Sequence, residues 1–197
     1  MISAVDALER LREGNHRFAS DEDKEGTPAS REHRAGAAKP QNPFAIILAC
    51  SDSRVPTELI FDRGIGDLFV IRVAGNIVAP SQIGSIEYAA EQFGTRLVVV
   101  LGHSNCGAVI ATLQELALKE SHRSPNLRSI VDRIRPAIEP VIEAQKDVDD
   151  EMVLQACVRA NIQASVQQLR HGSRILEQLI DSGDLQVIGA EYSIESG

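Results

Sequence analysis

A chain of 197 residues is long enough for one domain with a real core and too short for two comfortable ones. Its 43% hydrophobic and 24% charged residues are ordinary for a soluble globular protein. The formal net charge of -8 argues against a nucleic-acid partner or an anionic membrane surface, and no apolar run is long enough to span a bilayer.

Met1-Ile2-Ser3-Ala4-Val5-Asp6 lacks the basic region and apolar stretch of a signal peptide. Val5, Leu8, Leu11 and Phe18 then recur at helical spacing, so residues 2–19 read as an amphipathic helix. The polar stretch from Ser20 to Pro43, rich in charge, Gly and Pro, reads as an exposed arm. Three nearly continuous apolar runs follow: Phe44–Ala49, Leu68–Val73 and Leu97–Leu101. They suit strands buried on both faces of a parallel sheet. Helical stretches separate them, a short one from Pro56 to Phe61 and a longer one from Ser81 to Phe93. The second has Ser81 as expected N-cap and Gly94 as its stop. Further helices are expected over Cys106–Lys119, Pro125–Gln145, Asp149–Arg170 and Ser173–Asp181, before a fourth strand at Leu185–Ala190. This alternation predicts an α/β fold with a mostly parallel central sheet. Residues 1–43 form a helix and arm, residues 44–197 the α/β core, and the whole reads as one domain.

The chemistry is concentrated in two short segments, Cys50-Ser51-Asp52-Ser53-Arg54 and His103-Ser104-Asn105-Cys106. Two thiolates and an imidazole are a ligand set that selects zinc, and three protein ligands leave a fourth position open, as catalytic sites do. Cys50 ends the first strand and His103 follows the third, and ligands in open α/β sheets gather at the carboxyl ends of strands. Cys106 would open the next helix, where the macrodipole favours a thiolate. Cys50 as a small buried core residue is the plainer alternative, and Cys157, in a helical pattern with Val153, Leu154 and Val158, reads as core. Three cysteines, an odd number with two better used as ligands, fit a reducing, cytoplasmic compartment. Asp52 and Arg54 form either a carboxylate and guanidinium that steer the metal site or an inconsequential surface pair.

These segments, with Gly102 and Gly107 flanking the second, resemble the paired signatures of the β-class carbonic anhydrases. Arg72-Val73-Ala74-Gly75-Asn76 and Ile86-Glu87-Tyr88-Ala89 resemble that family too, in the expected order between roughly Gln41 and Gly107. The resemblance implies a sheet order of 2-1-3-4 and one Zn2+ per subunit on Cys50, His103 and Cys106. It implies reversible hydration of carbon dioxide to bicarbonate by a zinc-bound hydroxide, with Asp52 and Arg54 catalytic. Asp52 would either orient the hydroxide or coordinate zinc and switch the enzyme off, with Arg54 deciding between them. It also implies a homodimer or homotetramer, with the N-terminal helix packed across a partner subunit; packing on its own subunit is the alternative. No organic cofactor is implied.

Within that family the sequence resembles the plant-like, open-site type. The tryptophan of the bicarbonate-regulated type would stand at Ile47, and the chain has no Trp. Gln41 matches the glutamine that contacts substrate, and Phe69 and Tyr88 match the lining of the carbon dioxide pocket, where Tyr88 can come from the partner subunit. Gly107 at a helix start would turn its N–H towards bicarbonate. Each has a plainer reading: a loop amide for Gln41, core aromatics for Phe69 and Tyr88, close packing for Gly107. Arg72 reads as structural, and Tyr192 is open between the two roles. The rival readings are hydrolysis of carbonyl sulfide or carbon disulfide by the same metal hydroxide, and a non-catalytic zinc protein.

Overall fold

Two of the three continuous apolar runs become strands that water does not reach. The third, Leu68–Arg72, was expected to be buried on both faces but is half-buried, because it lies at the edge of the sheet. In the computed structural model, which describes residues 2–21, 31–38, 40–118, 124–145 and 149–197, all five residues of β1 (Ala45–Ala49) and all seven of β3 (Leu97–His103) are buried. With β2 (Leu68–Arg72) and β4 (Gln186–Tyr192) they form a four-stranded, all-parallel sheet in the order β2-β1-β3-β4. The expected order 2-1-3-4 is therefore what the chain adopts. β1 and β3 are direct neighbours, with Ala49 opposite Leu101, so the loops leaving both strands open on one crevice.

Alternation sorts the core into two layers. Ile46, Leu48, Cys50, Val98, Val100 and Val187 face one side, under α4 (Pro80–Phe93), α5 (Gly107–Leu116), α6 (Pro125–Ala144), α7 (Asp150–His171) and α8 (Arg174–Asp181). Ile47, Ala49, Val99 and Leu101 face the other, under α1 (Ala4–Ala19) and the short α3 (Thr57–Ile60). Capping fixes several helix starts: Ser3, Ser124, Asp149 and Ser173 each accept a backbone N–H of their own first turn. At α4 the expectation was displaced by two residues. Ala79 is the N-cap and Pro80 takes the first helical position, where its missing N–H costs nothing, while Ser81 lies inside the turn. Gly94 ends that helix at φ 58°, as expected.

The N-terminal helix answers the question of what covers its stripe. Ala7 and Leu11 are buried against β1 and β3 of the same chain, and Arg17 pairs with the buried carboxylate of Asp62 at 2.7 Å. Asn15 adds hydrogen bonds to the carbonyls of Ile60 and Gly197. Within one chain, then, part of the stripe docks on the chain's own sheet, beside α3 on the face of β1 and β3, while Val5 of the same stripe is 68% exposed. The arm is not irregular throughout: α2 (Arg31–Gly36) lies within it. Residues 22–30 and 39 of that arm, and Lys119 at the expected end of the helix after Cys106, lie outside the described residues.

Candidate metal centre

The crevice is assembled from three loops. Cys50 leaves β1, His103 is the last residue of β3, and Cys106 is the N-cap of α5. Their donor atoms all lie within 4.8 Å of one another, and all three residues are buried. His103 supplies the test of whether this trio suits a metal. Its Nδ1 stands 2.9 Å from the carbonyl oxygen of Ser104, which can only accept, so Nδ1 carries the hydrogen and Nε2 the lone pair. Nε2 is buried and has no hydrogen-bond partner. A buried acceptor without a donor costs about 1–3 kcal/mol, and a cation between it and the two sulfurs removes that cost. The donor set of two sulfurs and one nitrogen fits zinc with a fourth position free.

The electrostatics point the same way. A hydrogen bond from the Cys106 thiol is the main cause that holds the Cys50 sulfur well below the usual thiol range, against the opposing effect of burial. The same bond, then burial, drives the Cys106 thiol up. Burial acts to lower His103, but the Cys50 sulfur and the Ser104 carbonyl outweigh it and the net shift is upward. Without a metal Cys50 is thus a thiolate that accepts from the Cys106 thiol, and a divalent cation would take the place of the proton that Cys106 holds and of the one that His103 is biased to hold.

Asp52 and Arg54 form the rim. Arg54 Nε and Nη2 reach Asp52 Oδ1 and Oδ2 at 2.9 and 2.8 Å, a bidentate fork, and the Arg54 backbone N–H adds a bond to Oδ1 at 3.0 Å. That bonding holds the Asp52 carboxyl well below the usual range, against some burial. Asp52 Oδ2 remains 3.8 Å from His103 Nε2, beside the cluster. Arg54 Nη2 also reaches the carbonyl of Asn105 at 3.4 Å, tying the first loop to the third. Arg72, at the end of β2, donates to the carbonyls of Cys50 and Asp52 at 3.0 and 2.5 Å. This matches its structural reading: it braces the loop that carries both the thiol and the carboxylate.

One contributor was missed in the sequence. The turn Ala74–Asn76 leans on Cys50, and the Gly75 N–H donates to Cys50 Sγ at 3.3 Å. Gly75 sits at φ 72°, and a Cβ there would stand 2.7 Å from Ile134 Cδ1. Its place between two motif segments was visible; that its amide aims at the thiol was not.

The carbonic anhydrase family profile matches residues 45–197. The chain belongs to the β-class carbonic anhydrases. It is 35% identical to carbonic anhydrase 2 of Mycobacterium tuberculosis strain H37Rv, across 98% of this chain and 90% of that one. It is 36% identical to a carbonic anhydrase of Mycolicibacterium smegmatis, with the same coverage of 98% and 90%. Among solved structures it resembles the β-carbonic anhydrase CcaA, with a TM-score of 0.76 and 28% identity over 97% of this chain and 82% of that one.

In this carbonic anhydrase the residues matched to the substrate pocket do not join the cluster within one chain. Gln41 is exposed in the segment entering β1, so it lies towards the amino-terminal end of that strand while Cys50 follows its carboxyl end. Phe69 lies opposite Ile46, at the amino-terminal part of the sheet. It stacks with Tyr88 at 6.3 Å and Phe93 at 6.0 Å, and Tyr88 is 52% exposed. Gly107 does stand at the crevice, directly after Cys106, and a Cβ there would meet nothing within 4 Å. Close packing is therefore not what the glycine serves. Tyr192 is buried beside the Phe18 ring in the layer under α1, so its role is in the core. Cys157 is fully buried in the opposite layer, as expected. Among the described residues no helix is long and apolar enough to cross a membrane.

Proposed function

We propose that this carbonic anhydrase binds one zinc ion on Cys50, His103 and Cys106 and uses an open, plant-like site to interconvert carbon dioxide and bicarbonate. The single observation that carries the metal reading is the partnerless, buried Nε2 of His103 facing two sulfurs within 4.8 Å. When bound, zinc acts as a Lewis acid that lowers the pKa of a coordinated water from ~15.7 towards ~7.

The protein residues then divide the remaining work. Asp52, gripped by Nε and Nη2 of Arg54, holds a fixed carboxylate beside the cluster, where it would accept a hydrogen bond from a hydroxyl group in the crevice and orient it. Arg54 holds that carboxylate off the metal, which supports the open-site reading. Gly107 opens α5 with clear space where a Cβ would stand, at a helix start whose dipole favours an anionic product. Carbon dioxide is apolar and wants an apolar wall with an amide to orient it; Gln41, Phe69 and Tyr88 have that chemistry. Because they stand away from their own chain's cluster, we assign them to the crevice of a second copy. The half-exposed Tyr88 ring on the aromatic face of Phe69 and Phe93 supports a homodimer, or a homotetramer built from it. Helix α1 and the α/β core act as one folding unit, because the helix covers β1 and β3. A cytoplasmic setting suits three free cysteines.

Zinc content by atomic absorption and carbon dioxide hydration by stopped flow, run beside carbonyl sulfide hydrolysis, test this reading. One zinc per chain with hydration far faster than sulfide release is expected. Sulfide release as the faster reaction would overturn the substrate assignment, and a zinc-loaded but inert protein would overturn the catalytic one.

A further inference from the structure

Helix α7 has a core-facing side made of Cys157, Val158, Asn161, Ile162, Ser165, Val166 and Leu169. Five of those are what a buried stripe requires. Asn161 and Ser165, only 2% and 3% exposed, are not, since burying an amide or hydroxyl is costly unless it is bonded. Both are bonded, and both to one place. Asn161 Nδ2 donates to the carbonyl of Gly75 at 2.8 Å, and Ser165 Oγ to the carbonyl of Asn76 at 3.1 Å. Those are the carbonyls of the turn whose Gly75 N–H donates to Cys50 Sγ.

The sheet has been shaped to let α7 come that close. A Cβ at Gly102, on β3, would stand 2.5 Å from the Ile162 side chain, and one at Gly189, on β4, 2.7 Å from the same residue. Two glycines therefore seat the helix at the level of the crevice. The turn is gripped from three sides: by Asn161 of α7, and by Ile134 of α6 and Ala108 of α5, both of which crowd Gly75. Asn161 fixes the peptide unit that follows Gly75, and Ser165 the one after it. With Gly75 itself crowded by Ile134 and Ala108 and set at φ 72°, its two backbone torsions have no room to change, so the preceding peptide keeps its N–H aimed at the sulfur.

We propose that Asn161, seconded by Ser165, is a positioning residue of the metal centre, acting through the Gly75 amide on the Cys50 sulfur. An N–H aimed at a metal thiolate draws electron density from sulfur, orients its lone pairs and sets how strongly it donates to the metal. Asn161 touches neither substrate nor metal. Its effect reaches zinc only by keeping that one hydrogen bond in register, and the inference rests on Cys50 being a zinc ligand.

The test compares wild type with Asn161→Leu, which keeps the volume and removes the amide, and with Val166→Ala, which opens a cavity on the same helix face without touching the turn. Two readouts are taken: zinc loss to excess chelator, and the sulfur-to-metal charge-transfer band of the cobalt(II)-substituted protein. Asn161→Leu should lose zinc roughly 10- to 100-fold faster, because the thiolate is no longer held in its donor geometry, and should shift the band to lower energy, because the sulfur becomes more electron-rich. Val166→Ala should leave the band where it is. A folded Asn161→Leu protein with wild-type zinc retention and an unmoved band overturns the proposal, as does an equal band shift in Val166→Ala. Should Asn161→Leu not fold, Asn161→Ser, which shortens the donor while keeping the site polar, is read by the same two measures. Stoichiometric metal and a charge-transfer band in wild type test the ligand assignment separately, so failure of that assignment is distinguishable from failure of the proposal.

Discussion

The carboxyl-terminal ends of β1 and β3 and the amino-terminal ends of β1 and β2 have been built under different rules. At the first, three loops converge and brace one another: Arg54 spans Asp52 and Asn105, Arg72 holds two carbonyls of the Cys50 loop, and Gly75 reaches the thiol. At the second, an aromatic trio of Phe69, Tyr88 and Phe93 leaves Tyr88 half in solvent, and Gln41 is exposed. Under the proposed assembly, the difference separates what one chain completes from what a second copy supplies. Metal chemistry needs donors fixed to within fractions of an ångström, which a single fold provides; an apolar wall for a small apolar gas tolerates assembly from two copies.

The largest effects should come from breaking the braced end at its ligands. Cys50→Ser, His103→Ala and Cys106→Ser each remove one of three donors, and each is expected to release zinc and bring hydration down to the uncatalysed background. Zinc analysis after gel filtration, beside stopped-flow hydration, checks all three. A variant that keeps full metal and normal turnover removes its residue from the ligand set. Arg54→Ala comes next. Without its fork, the Asp52 carboxylate, already 3.8 Å from His103 Nε2, is free to swing onto the metal. Activity should fall about 10- to 100-fold with zinc retained. X-ray absorption should then gain a carboxylate oxygen signature that the wild type lacks, and an unchanged coordination shell would count against the switch.

The same division explains what was legible in the sequence. Strands β1 and β3 were readable because burial on both faces forces continuous apolar runs, and their carboxyl ends located Cys50 and His103. Sheet order came from the family resemblance, not from the runs themselves. Helix α1 was readable as amphipathic, but a stripe does not name its partner, and the face of β1 and β3 that receives Leu11 emerges only after folding. The start of α4 was misplaced because Pro80 at the first helical position competes with the capping preference of Ser81. Asn161 was hidden for a related reason: a single amide on a helix reads as a solvated position, and only the close approach permitted by Gly102 and Gly189 turns it inward.

A smaller effect should follow from the other end of the sheet. If Tyr88 and Phe69 serve a second copy, Tyr88→Ala weakens the assembly without loosening zinc. Truncating an interface aromatic costs about 2 kcal/mol or more of association when it is a hot spot. Specific activity should then become dilution-dependent, several-fold lower at nanomolar than at micromolar protein, with sedimentation velocity reporting the smaller species. Wild-type mass and undiminished activity on dilution would return Tyr88 to a surface role on its own subunit and leave the crevice of each chain to do without it.

The finest distinction concerns pH, and it separates Asp52 from its neighbours at the braced end. Its carboxyl is held below the ordinary carboxylate range, first by the Arg54 side chain and then, against burial, by the Arg54 backbone N–H and the charge of His103. A carboxylate depressed in the folded state contributes stability that is complete above its unfolded value of ~3.9 and is lost only as pH falls through the lower folded value. In a zinc-stripped His103→Ala background, which removes the one coupled group that titrates near neutrality, the thermal stability gap between Asp52 and Asp52→Asn should therefore stay flat from pH 8 to about 5, then close below pH 4. Arg54 does not disturb this, because the same hydrogen bond raises its own pKa and keeps it cationic throughout. The pair is exposed on the Arg54 side, whose side chain is 51% accessible, so the gap will be small and should shrink further in high salt. A gap that changes between pH 5 and 8 would mean that Asp52 titrates where the enzyme works. The fork would then be open in solution, and the carboxylate would belong to the switchable type of site instead.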